Sequence, residues 1–407
     1  MDNSFVVRDV HKCGGCHEPD LDVLYDFGLM PIAGYFPVKE EKVKPRVEMK
    51  LLKCDKCNLI QISPDLEDKG LFTDYRYVSS VGMQNHFNEL ANWFFTNYQP
   101  DAASKILEIG CNDGPLLDEL RKFGLNPLGI DPATNIVELA RNKGLTVIND
   151  FFDSAAISKY SQLSNLDYIF SSNSFAHISD IHTIAESVSK SLAKDGLFIV
   201  EVQSFVELIK LSAFDFIYHE HKYYYTLESI KNLFAQFGMY LIDGTIVKSH
   251  GGSYRLVFSK RKFEESRELQ QLLNSESEVS MGKEMLTDSL KHYLTEIEKL
   301  RLYLSEQKSQ GKVICGFGAS GRANMLLGNL LNSSELIDFV IDESPERIDR
   351  LMAQNLIPVV NLDQVSFDKV DIVVILAWNY KETIIKKINS KNVGIIIPLP
   401  SFELINC

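Results

Sequence analysis

The sequence contains no long apolar run, no low-complexity tract and no excess of basic residues. No segment approaches the ~18 consecutive apolar residues of a membrane-spanning helix, and residues 1–10 lack the basic and apolar regions of a signal peptide. The net charge of −13 argues against a general affinity for nucleic acid, although it leaves room for a local basic pocket that holds a small anion. We therefore expect a cytoplasmic protein with no membrane and no nucleic-acid partner.

Cysteine is also scarce, with seven residues in a chain of 407, and a cytoplasmic protein rarely builds a disulfide framework. Four of the seven nevertheless form two CxxC pairs, Cys13 with Cys16 and Cys54 with Cys57. Two such pairs can present four thiolates to one tetrahedral ion, which predicts a closed structural zinc site. Reduced surface thiols and a redox-active CxxC are the alternatives, but nothing nearby resembles a thioredoxin unit.

The length of the chain predicts two to four domains. From residue 105, short apolar strands alternate with helical stretches, which predicts a mostly parallel sheet with helices on both faces. A polar stretch with apolar residues at helical spacing comes next, and the strand, glycine loop and helix pattern then starts again. We therefore divide the chain into residues 1–80, 81–258, 259–310 and 311–407, of which the third is a helical connector.

The first glycine loop, "LEIGCNDG", carries Glu108, Gly110 and Gly114 after a predicted strand, and Asp131 ends the next strand. A glycine at such a turn lets the backbone approach a ligand closely, and an acidic residue at the end of the second strand can hold two ribose hydroxyls. The spacing differs from the GxGxxG pattern of dinucleotide-binding folds. It favours S-adenosylmethionine (SAM), and a tight turn without a ligand is the alternative.

The second glycine loop, "GFGASG", does have the GxGxxG pattern, with Gly316, Gly318 and Gly321. Asp342 lies about twenty residues further on, which matches the dinucleotide fingerprint. An oxidoreductase or epimerase that uses NAD is therefore a serious possibility. A loop that cradles the phosphates of a nucleotide substrate is another, because the same helix N-terminus binds any diphosphate.

The segment "FDFIYHEHKYYY", residues 214–225, concentrates titratable side chains: two histidines, one glutamate and four tyrosines. We call it the HEH segment. In an extended conformation Tyr218 and Glu220 would share one face while His219 and His221 shared the other, and a bend would change this. The alternatives are solvated histidines with tyrosines that fill a core, or a metal site, although the segment lacks the i, i+4 histidine pair of a zinc-protease helix.

Taken together, the cysteine pairs, "LEIGCNDG", "IYHEH", "HGGS" and "GFGASGRAN" resemble the sugar C-methyltransferases that build branched deoxysugars from nucleotide-linked keto sugars. The resemblance covers essentially the whole chain. It implies an α/β protein with a small N-terminal zinc-binding domain, a central doubly wound Rossmann-like methyltransferase domain and a smaller C-terminal Rossmann-like α/β domain. It also implies SAM as methyl donor, a structural Zn²⁺ ion and a nucleotide-diphosphate sugar as substrate.

The same resemblance assigns roles to individual residues. It implies that zinc is held by Cys13, Cys16, Cys54 and Cys57. It implies that SAM is surrounded by Glu108, Gly110, Asn112, Gly114, Asp131, Asp150, Phe151 and Asn173. The implied catalytic residues are Tyr218, Glu220, His221 as general base, and Tyr77 in preference to Tyr75. The implied contacts to the nucleotide-diphosphate substrate are Gly318, Ala319, Ser320, Arg322 and His250, whereas the role of His177 is open.

We therefore expect a SAM-dependent C-methyltransferase that acts on a nucleotide-linked 4-keto-6-deoxysugar. The position of methylation, C3, rests on the resemblance alone. An enzyme of this kind needs a base, because a sugar C–H beside a ketone must lose its proton before the carbon becomes nucleophilic. The alternatives are a nucleotide-sugar oxidoreductase or epimerase that uses NAD at "GFGASG", a sugar O-methyltransferase, and a non-catalytic module that binds zinc and nucleotide. The motifs leave the nucleotide base, the stereochemistry and the oligomeric state open.

Overall fold

The computed structural model describes residues 7–40, 46–67, 78–277, 283–353, 355–388 and 392–405. Its strands are β1 Val7–Arg8, β2 Leu21–Met30, β3 Val47–Cys54, β4 Ile60–Ser63, β5 Asp65–Leu66, β6 Ile106–Ile109, β7 Leu128–Asp131, β8 Thr146–Asn149, β9 Leu166–Ser172, β10 Leu192–Gln203, β11 Tyr223–Tyr224, β12 Tyr240–Val247, β13 Ser253–Ser259, β14 Ile314–Phe317, β15 Phe339–Asp342, β16 Val359–Asn361, β17 Ile372–Ile375, β18 Gly394–Ile397 and β19 Glu403–Ile405. Within the described ranges they form sheets of four, seven and six strands and one two-stranded pair.

The α-helices are α1 Ser80–Tyr98, α2 Pro115–Arg121, α3 Thr134–Asn142, α4 Ser154–Lys159, α5 Ile181–Ser191, α6 Phe205–Lys210, α7 Leu227–Ala235, α8 Arg267–Ser277, α9 Lys283–Ser309, α10 Gly321–Asn329, α11 Ser333–Leu336 and α12 Lys381–Lys387. Short 3-10 helices span Ser161–Leu163, Phe175–His177, Phe214–Phe216, Ser249–Gly251, Leu362–Gln364, Phe367–Lys369 and Trp378–Tyr380. Over the ranges that the structure describes, no helix combines the length and the apolar character needed to cross a membrane.

The N-terminal sheet has the order β11-β4-β3-β2, and all its neighbouring strands are antiparallel. Strand β11 comes from the middle of the chain: Tyr223 pairs with Gln61 and Tyr224 with Ile60. The HEH segment, which contains β11, is therefore attached to the edge of the N-terminal sheet although it lies within residues 81–258. This pairing brings the two histidines and the glutamate of the segment to the boundary between the first two sheets.

The central sheet has the order β12-β13-β10-β9-β6-β7-β8. Strands β8, β7, β6, β9 and β10 are parallel, as the alternation of strands and helices predicts, and β6 is buried along its whole length. Strands β13 and β12 add an antiparallel edge that the pattern did not predict. They are consecutive in the chain with a connection too short for a crossover, so they can only pair antiparallel.

The C-terminal sheet has the order β16-β15-β14-β17-β18-β19, with five parallel strands and the antiparallel edge strand β19. The predicted α/β fold of this region is confirmed. The long helix α9 packs onto it: buried residues recur every three or four positions at Leu286, Leu290, Tyr293, Ile297, Leu300 and Leu304. These residues share one core with the C-terminal sheet and with part of the N-terminal sheet, so the predicted helical connector is also a packing element.

Candidate active site between the three sheets

A cavity of about 1120 Å³ lies where the three sheets meet. Its wall includes residues from the carboxyl ends of β6, β7 and β9 in the central sheet and of β14 and β15 in the C-terminal sheet. Residues 32–36 of the N-terminal region and part of the HEH segment complete it. Ligands of open α/β sheets bind at the carboxyl ends of the strands, so this cavity is the expected place for chemistry.

The four predicted zinc ligands form a separate cluster. Their Sγ atoms all lie within 4.8 Å of one another. The Sγ atoms of Cys13 and Cys57 are 3.5 Å apart and those of Cys16 and Cys54 are 3.6 Å apart. A tetrahedron with Zn–S bonds of ~2.3 Å has edges of ~3.8 Å, so this donor set fits one zinc ion with no open position. The backbone N–H of Gly15 donates to Sγ of Cys13, which further stabilises a thiolate.

At the first glycine loop, Gly110 has a φ of +68°, and a Cβ there would lie 2.4 Å from Cβ of Ser174. Only glycine fits this position. The carboxylate of Asp131 accepts from the backbone N–H groups of Asn112 and Ala133, both at 2.9 Å. Burial raises the pKa of Asp131 while these two donors oppose the rise. The carboxylate is therefore fixed against the cavity, in the position from which an acidic residue can hold ribose hydroxyls.

Three further predicted SAM contacts, Asp150, Phe151 and Asn173, also line the cavity. The ring of Phe151 is 39% exposed, and the buried Nδ2 of Asn173 has no hydrogen-bond partner in the protein. A hydrogen bond from Lys159 lowers the pKa of Asp150 and holds its carboxylate at 2.8 Å. An exposed aromatic ring beside an unsatisfied amide donor fits a ligand that has both an aromatic ring and polar groups, as SAM does.

Two predicted SAM contacts lie behind the wall of the cavity instead. Glu108 is buried within β6, and burial together with the nearby Asp131 raises its pKa well above the usual range. Gly114 precedes α2 with a φ of +78°, and a Cβ there would lie 2.2 Å from Leu145. Both residues shape the loop that faces the cavity, and their assignment to the SAM site stays a prediction.

The HEH segment bends between Tyr218 and His221, whose backbone N–H donates to the carbonyl oxygen of Tyr218 at 3.0 Å. The bend sends Tyr218, Glu220 and His221 to the cavity. His219 points the other way, where its Nε2 donates to the carbonyl oxygen of Glu48 at 3.2 Å, and burial lowers its pKa to about 4. Of the two conformations that the sequence left open, the segment therefore adopts the bend, which places His221 on the same side as Tyr218 and Glu220.

Within the cavity, the hydroxyl of Tyr218 lies 2.7 Å from Nε2 of His221. Nδ1 of His177 donates to the backbone carbonyl of Glu220 at 2.7 Å, and its ring lies 4.6 Å from the ring of His221. Oε1 of Glu220 accepts from the backbone N–H of Gly34 at 2.5 Å, while Oε2 is buried without a hydrogen-bond partner. Burial raises the pKa of this carboxyl group. The site thus combines a tyrosine–histidine pair with a glutamate suited to hydrogen-bond a ligand.

The second glycine loop repeats the geometry of the first. Gly318 has a φ of +99°, and a Cβ there would lie 2.5 Å from Cβ of Ala377. The carboxylate of Asp342 accepts from the backbone N–H groups of Ala319 and Ser344, at 2.7 and 2.8 Å. Gly318 and Ser320 line the cavity. Ala319 is fully buried, and its contact with the substrate stays a prediction.

The comparisons with known proteins agree with this geometry. Residues 80–243 match the family model for a methyltransferase domain, and residues 248–400 match the family model for a C-methyltransferase C-terminal domain. The protein is a SAM-dependent methyltransferase. The C-terminal match and a full-length relative support a C-methyltransferase in particular.

That relative of the methyltransferase is the C-methyltransferase NovU of Streptomyces niveus, which is 28% identical over 417 residues and 98% of each chain. A ubiquinone biosynthesis O-methyltransferase of Bartonella bacilliformis is 28% identical over 105 residues, 25% of this chain and 42% of that relative. Among solved structures, magnesium protoporphyrin IX methyltransferase from Synechocystis with bound SAM is 14% identical, covers 44% of this chain and 79% of that chain, and has a TM-score of 0.34.

Arg322 of the methyltransferase lines the cavity, but its guanidinium group is already engaged. Nε and Nη2 donate to Oδ2 of Asp215 at 3.0 and 2.6 Å, and Nη1 donates to Oδ1 of Asn379 at 2.6 Å. Its guanidinium carbon lies 3.5 Å from the ring centroid of Phe216. Three of its five N–H donors are thus used within the protein, which leaves two for a phosphate, and the contact with the substrate stays a prediction.

Two predicted residues of the methyltransferase are not described in full. Tyr77, like its alternative Tyr75, lies outside the described residues. His250 belongs to the 3-10 turn Ser249–Gly251, of which the backbone is described. Both assignments therefore stay predictions.

The sequence analysis missed several residues of the cavity wall. Arg347, Arg350 and Lys387 bring positive charge to the C-terminal side, and Gly34 holds Glu220. None belongs to a motif with a characteristic spacing, so the sequence offered no signal for the three cations. For Gly34, the run "PIAGYFP" with a proline at each end indicates a constrained loop, but it does not indicate that Gly34 pairs with Glu220.

Proposed function

We propose that this methyltransferase transfers the methyl group of SAM to a carbon atom, C3, of a nucleotide-linked 4-keto-6-deoxysugar. The observation that carries the proposal is the position of Tyr218, Glu220 and His221 on the wall of one cavity between two glycine loops. A cavity of about 1120 Å³ exceeds the ~300–1,000 Å³ of typical small-molecule sites, so it has room for two ligands. SAM would occupy the side of Asp131, and the nucleotide sugar would occupy the side of Gly318.

The chemistry requires a base beside the keto group. His221 fits this role because an imidazole titrates near neutral pH and because its Nε2 already has a hydroxyl partner, Tyr218, at 2.7 Å. Removal of the proton leaves an enolate, whose negative charge lies largely on the former keto oxygen. The Tyr218 hydroxyl, which is bonded to Nε2 of His221 before the reaction, would turn to donate to that oxygen once the ring holds the proton, and Glu220 lies on the same wall with its pKa raised by burial.

SAM, when bound, would supply an electrophilic methyl group, and the enolate carbon would take it with release of S-adenosylhomocysteine. Opposite charges cancel in this step, so the chain's own residues need only place the two ligands and hold the proton. The proton accepted by His221 leaves to solvent. None of the four cysteines lines the cavity, which supports a structural role for the zinc ion they would hold.

The proposal is tested by proton NMR in heavy water on candidate nucleotide keto sugars, with and without SAM. We expect one C–H signal beside the ketone to be replaced by a methyl signal while S-adenosylhomocysteine forms. A methyl group on oxygen would instead identify an O-methyltransferase. Loss of a proton signal, or a changed sugar, without any consumption of SAM across a panel of sugars would favour an epimerase or an enzyme that uses NAD at Gly318.

A further inference from the structure

Helix α10, which comes after the second glycine loop, contacts the HEH segment directly through Arg322 and reaches it a second time through the loop at residues 33–34. We propose that Arg322 and Asn324 of this helix are positioning residues that set the geometry of Tyr218, Glu220 and His221, so that the C-terminal sheet controls the chemistry of the cavity. The inference rests on the proposed function in one respect, namely that the HEH segment carries the reaction. The mechanism above uses neither residue.

The first contact is the ion pair between Arg322 and Asp215. Asp215 is fully buried and precedes Tyr218 by three residues. Besides the two N–H groups of Arg322, its Oδ2 accepts from Nε1 of Trp378 at 3.0 Å. The guanidinium group also packs between the rings of Phe216 and Trp378, with 3.5 and 4.7 Å to the centroids. Removing one partner of such a pair strands a buried charge, so this contact strongly restrains the start of the segment.

The second contact runs through the loop at residues 33–34. Asn324 is fully buried, its Nδ2 donates to the carbonyl oxygen of Ala33 at 2.8 Å, and its Oδ1 accepts from the backbone N–H of Ala353 at 3.0 Å. The next residue of the loop, Gly34, donates its N–H to Oε1 of Glu220. An amide buried with both of its ends bonded holds its partners in one arrangement. Helix α10 therefore also fixes the far side of the HEH segment.

The position of α10 connects these contacts with ligand binding. The helix begins at Gly321, directly after Gly318 and Ser320, which line the cavity. A ligand seated on the glycine loop touches the start of the same rigid helix that holds Asp215 and, through Gly34, Glu220. Occupation of the loop by the nucleotide part of a substrate would therefore stabilise the arrangement that the chemistry needs.

The first test is hydrogen–deuterium exchange of the full chain, and it needs no substrate. The variants are Arg322→Gln, Asp215→Asn and Asn324→Ala. The control is Asp338→Asn, which removes a carboxylate that pairs with Lys308 at 2.7 Å at the opposite end of the C-terminal strands. We expect exchange in residues 214–225 to rise about fivefold to thirtyfold in the three variants and to stay unchanged in the control. Unchanged exchange in all three would overturn the proposal.

The second test separates positioning from phosphate binding. If Arg322 positions the segment, Asp215→Asn and Arg322→Gln behave alike. Each lowers kcat per SAM-binding site about tenfold to a hundredfold and changes KM for the nucleotide sugar less than about threefold. The double variant then loses no more activity than either single variant. If Arg322 binds phosphate instead, Asp215→Asn frees the guanidinium and retains or tightens the binding of uridine or thymidine diphosphate, whereas Arg322→Gln weakens it. That opposite pattern would contradict the proposal.

Failure of the proposed function has a different outcome. If the wild-type protein turns over no nucleotide keto sugar, the substrate is wrong, but the exchange experiment still decides whether α10 holds the HEH segment. Arg322→Lys covers the case in which Arg322→Gln does not fold, since it keeps the charge and loses the planar fork. Retained binding of S-adenosylhomocysteine shows for each variant that the central sheet is intact.

Discussion

The two glycine loops of this protein are closely similar in local geometry, but the helices that begin after them make different contacts. In each loop, a glycine with positive φ meets a neighbour so closely that a Cβ would lie about 2.5 Å or less away, at Gly110 and at Gly318. In each, an aspartate at the end of the next strand, Asp131 or Asp342, accepts from two backbone N–H groups. Both loops therefore place a fixed carboxylate and a bare stretch of backbone at the cavity.

The difference lies in the first turns of the two helices. Helix α2 starts with Pro115, Leu116 and Leu117, which are buried in the central domain. Helix α10 starts with Gly321 and carries Arg322 and Asn324, which bind the HEH segment and the N-terminal loop. The comparison teaches that a glycine motif predicts where a ligand is held. The side chains of the helix that follows decide whether that loop is also connected to the proposed catalytic residues.

The largest effect is expected at the zinc site, which belongs to neither glycine loop and contributes to folding alone. Cys54→Ser removes one of four thiolates and with it most of the affinity for zinc, whose binding is worth ~10 kcal/mol or more in small zinc domains. We expect most of the protein to become insoluble while turnover per folded molecule falls little. Soluble yield, zinc content by mass spectrometry and turnover check this. A folded, zinc-free and fully active variant would contradict the structural role.

The next largest effect is expected at His221 in the HEH segment. His221→Asn removes the proposed base, and general bases contribute about a hundredfold to ten-thousandfold. We expect methyl transfer to fall by that factor, while the affinities for S-adenosylhomocysteine and for nucleoside diphosphate stay unchanged. Calorimetry and single-turnover assays measure both. His177→Asn serves as the comparison at the adjacent ring, and undiminished transfer by the His221 variant would remove the assignment.

Alanine at each loop glycine sharpens the comparison directly. Gly110→Ala should weaken S-adenosylhomocysteine binding about tenfold to a hundredfold and leave nucleoside diphosphate binding unchanged, because the new Cβ displaces Ser174. Gly318→Ala should do the reverse. Gly124→Ala is the matched control: it has a φ of +78° with no atom within 4 Å of the added Cβ, so it carries only the backbone strain. If either variant weakens both ligands equally, the assignment of one ligand to each loop is wrong.

The smallest effect is a pH dependence of stability from His219. Burial holds the pKa of His219 at about 4, below its usual 6.5, so the fold favours the neutral ring. The contribution of neutral His219 to the free energy of unfolding is complete above about pH 6.5 and is lost as the pH falls through 4. At pH 5 the free energy of unfolding is already lower by about 2 kcal/mol. His219→Gln keeps a donor for the carbonyl of Glu48 and should flatten the curve between pH 7 and pH 5. Denaturant titrations at both pH values measure it.

That variant must be compared with the wild type at each pH, because Glu220 acts in the opposite direction. Its carboxyl group has a raised pKa in the folded protein, which favours the fold at low pH. The contribution of Glu220 is the same in the wild type and the variant, so it cancels in the difference between their free energies of unfolding. An unchanged slope in His219→Gln would show that His219 does not titrate as its burial implies.

Much of the fold was predictable from the sequence because parallel strands buried on both faces read as short apolar runs, and β6 and β14 also precede glycine loops. The strands β6, β7, β14 and β15 are examples. The hairpin β12–β13 was not predicted as an antiparallel edge, although its strands are consecutive in the chain, and the addition of β11 to the edge of the N-terminal sheet was missed because its partner β4 lies far away in the chain and leaves no periodic pattern. The sequence left open whether residues 218–221 bend, because the contacts around them are distant in the chain: β11 pairs with β4, and His219 donates to the carbonyl of Glu48.

The candidate site was predictable in its types of residue and less so in its contacts. The spacing of the cysteines predicted one cluster of four thiols, and the structure forms that cluster. The spacing of the glycines predicted two tight loops, and Gly110 and Gly318 lie in such loops. The partner of Arg322 was not predictable, because an arginine after a glycine loop has the same sequence pattern whether it binds a phosphate or a carboxylate of its own chain. In the structure the partner is the carboxylate of Asp215, 107 positions away.

The most direct test of this account is simultaneous binding to the wild-type protein. Calorimetry with S-adenosylhomocysteine, then with thymidine or uridine diphosphate and, in a separate run, with NAD, measures whether the two loops hold different ligands. We predict one S-adenosylhomocysteine and one nucleoside diphosphate per chain, bound together without competition, and no binding of NAD at comparable concentration. Competition between the first two ligands, or tight binding of NAD with no binding of either nucleoside diphosphate, would contradict the account.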